Sequence, residues 1–150
     1  MHFKKIIFAI FFIFSFIKIS DATEYRSIRE VTTKANLRAG PGRWYPVKWV
    51  IKIPNLPIKI IEENEGFLFV QLPDKTKYWI SKGLTNKKHN LIVIKDTVIK
   101  NKKGEVIAKI LKDVIIKEHN CSEKNNSNLC RVKADNIKGF IYKSSLWGYN

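Results

Sequence analysis

Residues 35–50 read Ala35-Asn36-Leu37-Arg38-Ala39-Gly40-Pro41-Gly42-Arg43-Trp44-Tyr45-Pro46-Val47-Lys48-Trp49-Val50. The run opens as a short strand ending at Leu37 and Arg38, and Gly40-Pro41-Gly42 then breaks it. Glycine reaches positive φ without steric cost and proline fixes φ, so the triplet marks a tight loop. Trp44 and Tyr45 follow the break directly, and Val47, Trp49 and Val50 resume an extended segment. A ring-bearing loop pinned between two strands usually presents something to a partner.

Working outward, the same short extended pattern recurs. Lys48–Ile53 suits a half-buried strand and Pro54-Asn55-Leu56-Pro57 turns the chain. Ile58–Ile61 is a β-branched strand, Glu62–Gly66 a polar hairpin connection, and Phe67–Leu72 and Tyr78-Trp79-Ile80 are further strands. Thr23–Thr33 has no clear period and reads as a lead-in with at most one edge strand. No apolar i, i+3, i+4 pattern persists for ten residues in this stretch, so the expected class is all-β.

From Asn90 the order repeats. Thr97-Val98-Ile99 stands where Asn36-Leu37-Arg38 stood, Val106–Leu111 answers Val47–Ile51, Leu129–Val132 answers Phe67–Val70, and Phe140-Ile141 answers Trp79-Ile80. The offset drifts only between 58 and 62 residues, and the drift falls in turns. The expected organisation is a leader over residues 1–22 and two units, 23–86 and 87–150. Units this small are near the lower limit for an independent core, so they are expected to pack on each other. Trp147 and Tyr149 are expected to cap that contact.

Particular residues carry a resemblance to a known family. Asn36-Leu37-Arg38-Ala39-Gly40-Pro41-Gly42, Tyr45-Pro46-Val47 with Trp49-Val50, and Leu56-Pro57-Ile58 resemble the bacterial SH3-like (SH3b) domain. Cys130-Arg131-Val132, Lys138-Gly139-Phe140-Ile141 and Leu146-Trp147-Gly148 continue the likeness in the second copy. The closest resemblance is to the exported two-copy form of alphaproteobacteria, and it covers about Val31 to Tyr149. It implies two small SH3-like barrels packed together, acting as a binding module and not an enzyme. Tyr78 replaces the family's glycine in the first copy, Phe140 replaces the tryptophan in the second, and Lys100–Gly104 stands where the glycine-proline loop would be. The second copy is therefore not expected to share the first copy's ligand.

The leader supplies the address. Lys4-Lys5, the apolar run Ile6–Ile17 and the small-x-small exit Ser20-Asp21-Ala22 form the pattern of a secretory signal peptide cleaved after Ala22. Periplasmic export is the expectation. Lysine and arginine number 28 against 13 acidic residues, a net charge of +15, and the charge is dispersed over both halves. Such a field draws the protein weakly toward an anionic wall or membrane surface. Lysine far outnumbers arginine, which together with export argues against nucleic acid as a partner. In an oxidising compartment the lone pair Cys121 and Cys130 is most simply a disulfide. The alternative adds His119 to the two thiols as metal ligands, a weaker pattern without a second Cys or His pair.

Catalysis finds little support. His89 lies in a lysine-rich joint and His119 beside the cysteines, Ser144-Ser145 lacks a glycine elbow, and Glu62-Glu63-Glu65 reads as solvated charge. Trp79, Phe69 and Phe140 are expected in the core or at barrel seams. The candidate ligand-binding residues are Arg38, Arg43, Trp44, Tyr45 and Trp49, with no cofactor and no metal. Rings would stack on a sugar face or an extended peptide while the arginines pair with a carboxylate. The expected partner is cell-wall peptide or glycan, or an envelope protein. The alternative is a scaffold subunit of an envelope complex with no small ligand.

Overall fold

The computed structural model describes residues 23–121 and 128–149. The expected leader, residues 1–22, and the middle of the cysteine loop, residues 122–127, lie outside the described residues. The first half forms β1 (Tyr25–Ile28), β2 (Ala35–Arg38), β3 (Val47–Ile51), β4 (Pro57–Asn64), β5 (Phe67–Gln71), β6 (Lys77–Ser81) and β7 (Thr85–Asn86). These make one sheet in the order β3-β2-β6-β5-β4-β1-β7, with every neighbouring pair antiparallel. A single 3-10 turn, Lys82–Leu84, joins β6 to β7. Glu65 (φ 47°) and Gly66 (φ 80°) close the β4–β5 hairpin. Left-handed values at both central residues match the twist of the strands they connect.

The second half forms β8 (Leu91–Val93), β9 (Thr97–Lys100), β10 (Val106–Ile110), β11 (Ile115–Ile116), β12 (Glu118–Asn120), β13 (Leu129–Ala134), β14 (Ile137–Tyr142) and β15 (Leu146–Trp147). Two sheets result, β10-β9-β14-β13-β12 and β11-β8-β15. With β11 and β12 together taking the place of β4, this is the strand order of the first half over again. The chain is all-β, as its patterning predicts, and its described sheets are antiparallel.

One element departs from expectation. β1 is not an edge strand, because it pairs with β4 on one side and β7 on the other. Its polar residues hide this in the sequence. Ser27 is fully buried, its Oγ accepting a hydrogen bond from the Asn90 backbone N at 3.3 Å, and buried Arg26 donates to Glu24 at 2.8 Å. A strand in which two of the three buried positions are polar, yet satisfied, gives no apolar alternation to read.

Alternation puts two sets of side chains inside. Ile28, Leu37, Ile58, Leu68, Val70 and Ile80 centre one core, and Leu91, Val93, Ile99, Ile116, Val132 and Ile141 centre the other. The halves share a wall. Ile92, Ile115 and Trp147 belong to the second half but pack into the first core, while Tyr149 packs on the second. Tyr25 stacks on His89 at 5.4 Å and meets Trp147 edge-on at 5.3 Å. Asn90 Nδ2 donates to the Asn55 carbonyl at 2.9 Å, and the Lys117 ammonium pairs with Glu30 at 2.6 Å, holding that carboxyl below its ordinary range.

The disulfide is present. Cys121 and Cys130 are bonded with their Cα atoms 4.4 Å apart. Cys130 is wholly buried at the start of β13 and forms part of the second core.

Candidate functional site

The loop between β2 and β3 is built by its glycines. A Cβ at Gly40 would stand 2.5 Å from the Tyr45 ring, and one at Gly42 would stand 2.5 Å from the Trp44 ring. With no side chain there, each ring lies against the loop's own backbone, the two rings 5.8 Å apart. Arg38 holds the loop from the β2 side. Its Nη1 donates to the carbonyls of Arg43 at 2.9 Å and Tyr45 at 2.7 Å. The Ala39 N donates to Pro46 O at 3.1 Å, closing the base.

These contacts make a stiff lip with one ring turned out. Trp44 remains 75 % exposed while Tyr45 is 38 % exposed. Removing the donors with Arg38→Met should leave the fold intact but loosen the lip. Charged-donor hydrogen bonds contribute about 1.5–3 kcal/mol each, so amide exchange at Ala39 and Tyr45 is expected to quicken at least about tenfold, with Leu68 unchanged.

Beside the lip lies a groove that the sequence reading does not anticipate. Between β2 and β3 the register shifts, Leu37 facing Trp49 and Arg38 facing Val47, so Lys48 is an extra residue in a β-bulge. The next rungs run from Arg38 to Trp79, from Trp79 to Phe69, and from Phe69 to Glu62. Residues opposite one another across strands share a face. Leu68, Val70 and Ile80 occupy the buried face, so Phe69 and Trp79 stand on the other, half-buried and outside the core. Their rings lie 5.2 Å apart. Of the two expected places, core or barrel seam, Phe69 and Trp79 do not take the core, because strand parity, not ring size, decides which face a residue takes.

The groove has a volume of about 450 Å³ and is lined by four rings, Trp49, Phe69, Tyr78 and Trp79, and three cations, Arg38, Lys48 and Lys77. Trp49, expected among apolar strand neighbours, is 64 % exposed. Of the residues singled out in the sequence, Arg38 and Trp49 line the groove. Trp44 and Tyr45 form the lip, and Arg43 is exposed on the loop, contributing its carbonyl to Arg38. Phe69, Tyr78, Trp79, Lys48 and Lys77 are the additions. For Phe69 and Trp79 the signal that could have found them is the alternation of Leu68, Val70 and Ile80, which turns the intervening rings outward, whereas Tyr78 stands opposite Val70 against the core and leaves no such signal.

Register places the second half's equivalents unambiguously. Lys100 pairs with Phe140, and Phe140 with Arg131, as Arg38 pairs with Trp79 and Trp79 with Phe69. Ala108 faces Ile99 as Trp49 faces Leu37. Gly139 precedes Phe140 as Tyr78 precedes Trp79. Three of the four rings are therefore missing from the second copy, which keeps only Phe140.

No family model matches the chain, and no curated protein matches it. Among solved structures it is similar to NlpC1 from Trichomonas vaginalis, at 14% sequence identity and a TM-score of 0.37, over 85% of this chain and 46% of that one. It is similar also to NlpC2 from Trichomonas vaginalis, at 15% identity and a TM-score of 0.39, over 85% of this chain and 48% of that one. The chain thus spans just under half the length of either protein. Likeness at this level transfers neither a residue role nor an activity.

Proposed function

We propose that this protein is an exported, periplasmic, non-catalytic module of the SH3b type that binds cell-wall peptide or glycan through its first half. The observation that carries the reading is the ring-lined groove with its three cations, present in one half and replaced in the other. Aromatic faces stack on the apolar faces of sugars and on extended peptide. Lys48 and Lys77 supply positive charge for a carboxylate at the groove edge. Arg38 Nη1 is committed to the loop carbonyls, so its part is chiefly to hold the lip. The dispersed positive charge raises local concentration at an anionic wall.

Purified cell-wall sacculi test this directly. Wild type should be retained at moderate salt, and Trp49→Ala/Trp79→Ala should lose about 30-fold in affinity, the loss of roughly 2 kcal/mol expected when anchoring rings go. Trp44→Ala/Tyr45→Ala should lose less. Retention that fades equally with salt in all variants is charge alone and overturns the reading.

A protein partner in the envelope is the second reading, favoured by β3. That strand ends its sheet, and Val47, Trp49 and Val50 are 42 %, 64 % and 45 % exposed along it. An exposed apolar edge accepts an added strand. Crosslinking to a stoichiometric protein, with no sacculus retention, would select it.

A further inference from the structure

The corner where β12 meets β13 holds three donor atoms that the groove does not use. His119 Nδ1, Cys121 Sγ and Cys130 Sγ all lie within 4.8 Å of one another. His119 and Cys121 are two residues apart along the chain, and β12 pairs with β13 from Glu118 to Asn120. Register therefore carries all three to one end of the ladder.

The tautomer of His119 is fixed by its surroundings. Its Nε2 lies 2.6 Å from the backbone carbonyl oxygen of His89, and a carbonyl only accepts, so Nε2 carries the hydrogen. Nδ1 is left with the lone pair, 3.9 Å from Cys121 Sγ. A ring that donates one N–H to a backbone carbonyl and turns the other nitrogen inward is the usual posture of a metal-binding histidine.

We propose that reducing the Cys121–Cys130 bond converts this corner into a three-ligand site for a soft divalent cation, zinc above others, with His119 Nδ1 and the two thiolates as ligands. A tetrahedral zinc with bonds of about 2.3 Å to sulfur and about 2.0 Å to nitrogen needs N···S separations of about 3.6 Å. The observed 3.9 Å is a few tenths from that. The bonded sulfurs of the oxidised form offer no thiolate, so the disulfide and the metal exclude one another. In the change of state a dithiol delivers two electrons and two protons to the disulfide and leaves as its own disulfide. The metal then displaces the two thiol protons. Three protein ligands leave a fourth position for water, as in zinc sites open to exchange.

The test uses the full chain, oxidised and reduced anaerobically, titrated with Co²⁺ and then Zn²⁺. Reduced wild type should bind one Co²⁺ with thiolate charge-transfer and tetrahedral d–d bands that Zn²⁺ bleaches, and the oxidised protein should bind none. Cys130→Ser should abolish the bands. His119→Ala should weaken binding at least about tenfold and shift the d–d bands. His119→Gln, which keeps a donor toward the His89 carbonyl, should do the same and covers the case in which the alanine variant misfolds. Absence of Co²⁺ binding by the reduced protein, equal binding by the oxidised protein, or an unchanged spectrum in a folded His119 variant overturns the proposal.

Discussion

Gly139→Val is expected to lower the unfolding free energy by about 3 kcal/mol, the upper part of the range for forcing atoms into a packed site. Gly139 is buried on β14, and a Cβ built on it would stand 2.5 Å from the Lys100 carbonyl oxygen and against the Ile99 side chain. Backbone cannot rotate aside as a side chain can. The β14–β9 contact, which is the Phe140–Lys100 pair, must therefore open. Urea unfolding followed by far-UV circular dichroism reads the loss as a lower midpoint. Gly83→Ala is the matched control. The nearest atom to a Cβ there is Ser81 Oγ at 3.9 Å, so stability should stay within about 0.5 kcal/mol. A Gly139→Val protein as stable as wild type would mean that β9 and β14 do not approach this closely.

The same position explains why the two halves diverge. Where the second half needs glycine for this approach, the first half carries Tyr78, half-buried against the first core and lining the groove. Tyr78 thus adds a ring to the groove that Gly139 cannot supply in the second half. Trp49 against Ala108 and Phe69 against Arg131 change in the same direction. The chain keeps one strand plan twice and varies the residues that line this groove.

What the sequence reveals and hides follows from which physical signal each feature leaves. Strands β3 to β6 and their repeats are legible because β-branched and aromatic residues alternate between strong turn signals, among them Pro73 and Gly66. The loop is legible because Gly40, Pro41 and Gly42 have few other uses together. β1 is obscured by Arg26 and Ser27, whose burial depends on partners more than thirty residues away in the case of Ser27 and Asn90. The groove is obscured for a different reason. Phe69 and Trp79 look like core by composition, and only the register of their neighbours shows that they face out. The role of Arg38 is hidden too, since nothing in a linear string tells whether a guanidinium turns toward a ligand or toward its own loop carbonyls.

Ile92→Ala should cost about 3 kcal/mol, within the range for emptying a buried isoleucine site, and lower the melting temperature by about 10 °C. The size of the effect is less telling than its reach. Leu91 and Val93 point into the second core, so parity turns Ile92 the other way, into the first, where it is 5 % exposed. One three-residue strand is thus a wall of both cores. Each half is small enough that a core of its own is marginal, and Ile115 and Trp147 reinforce the same contact. A cavity at Ile92 is expected to loosen both halves together. Amide-exchange protection at Leu68 in the first and Val132 in the second should fall by similar factors, and unfolding should remain one transition. If protection at Leu68 falls while Val132 keeps its own, the halves unfold independently, and the groove would have to be held in shape by the first half alone. If both fall together, the second half, which lacks three of the four groove rings, acts by stabilising the sheet on which Phe69 and Trp79 are displayed.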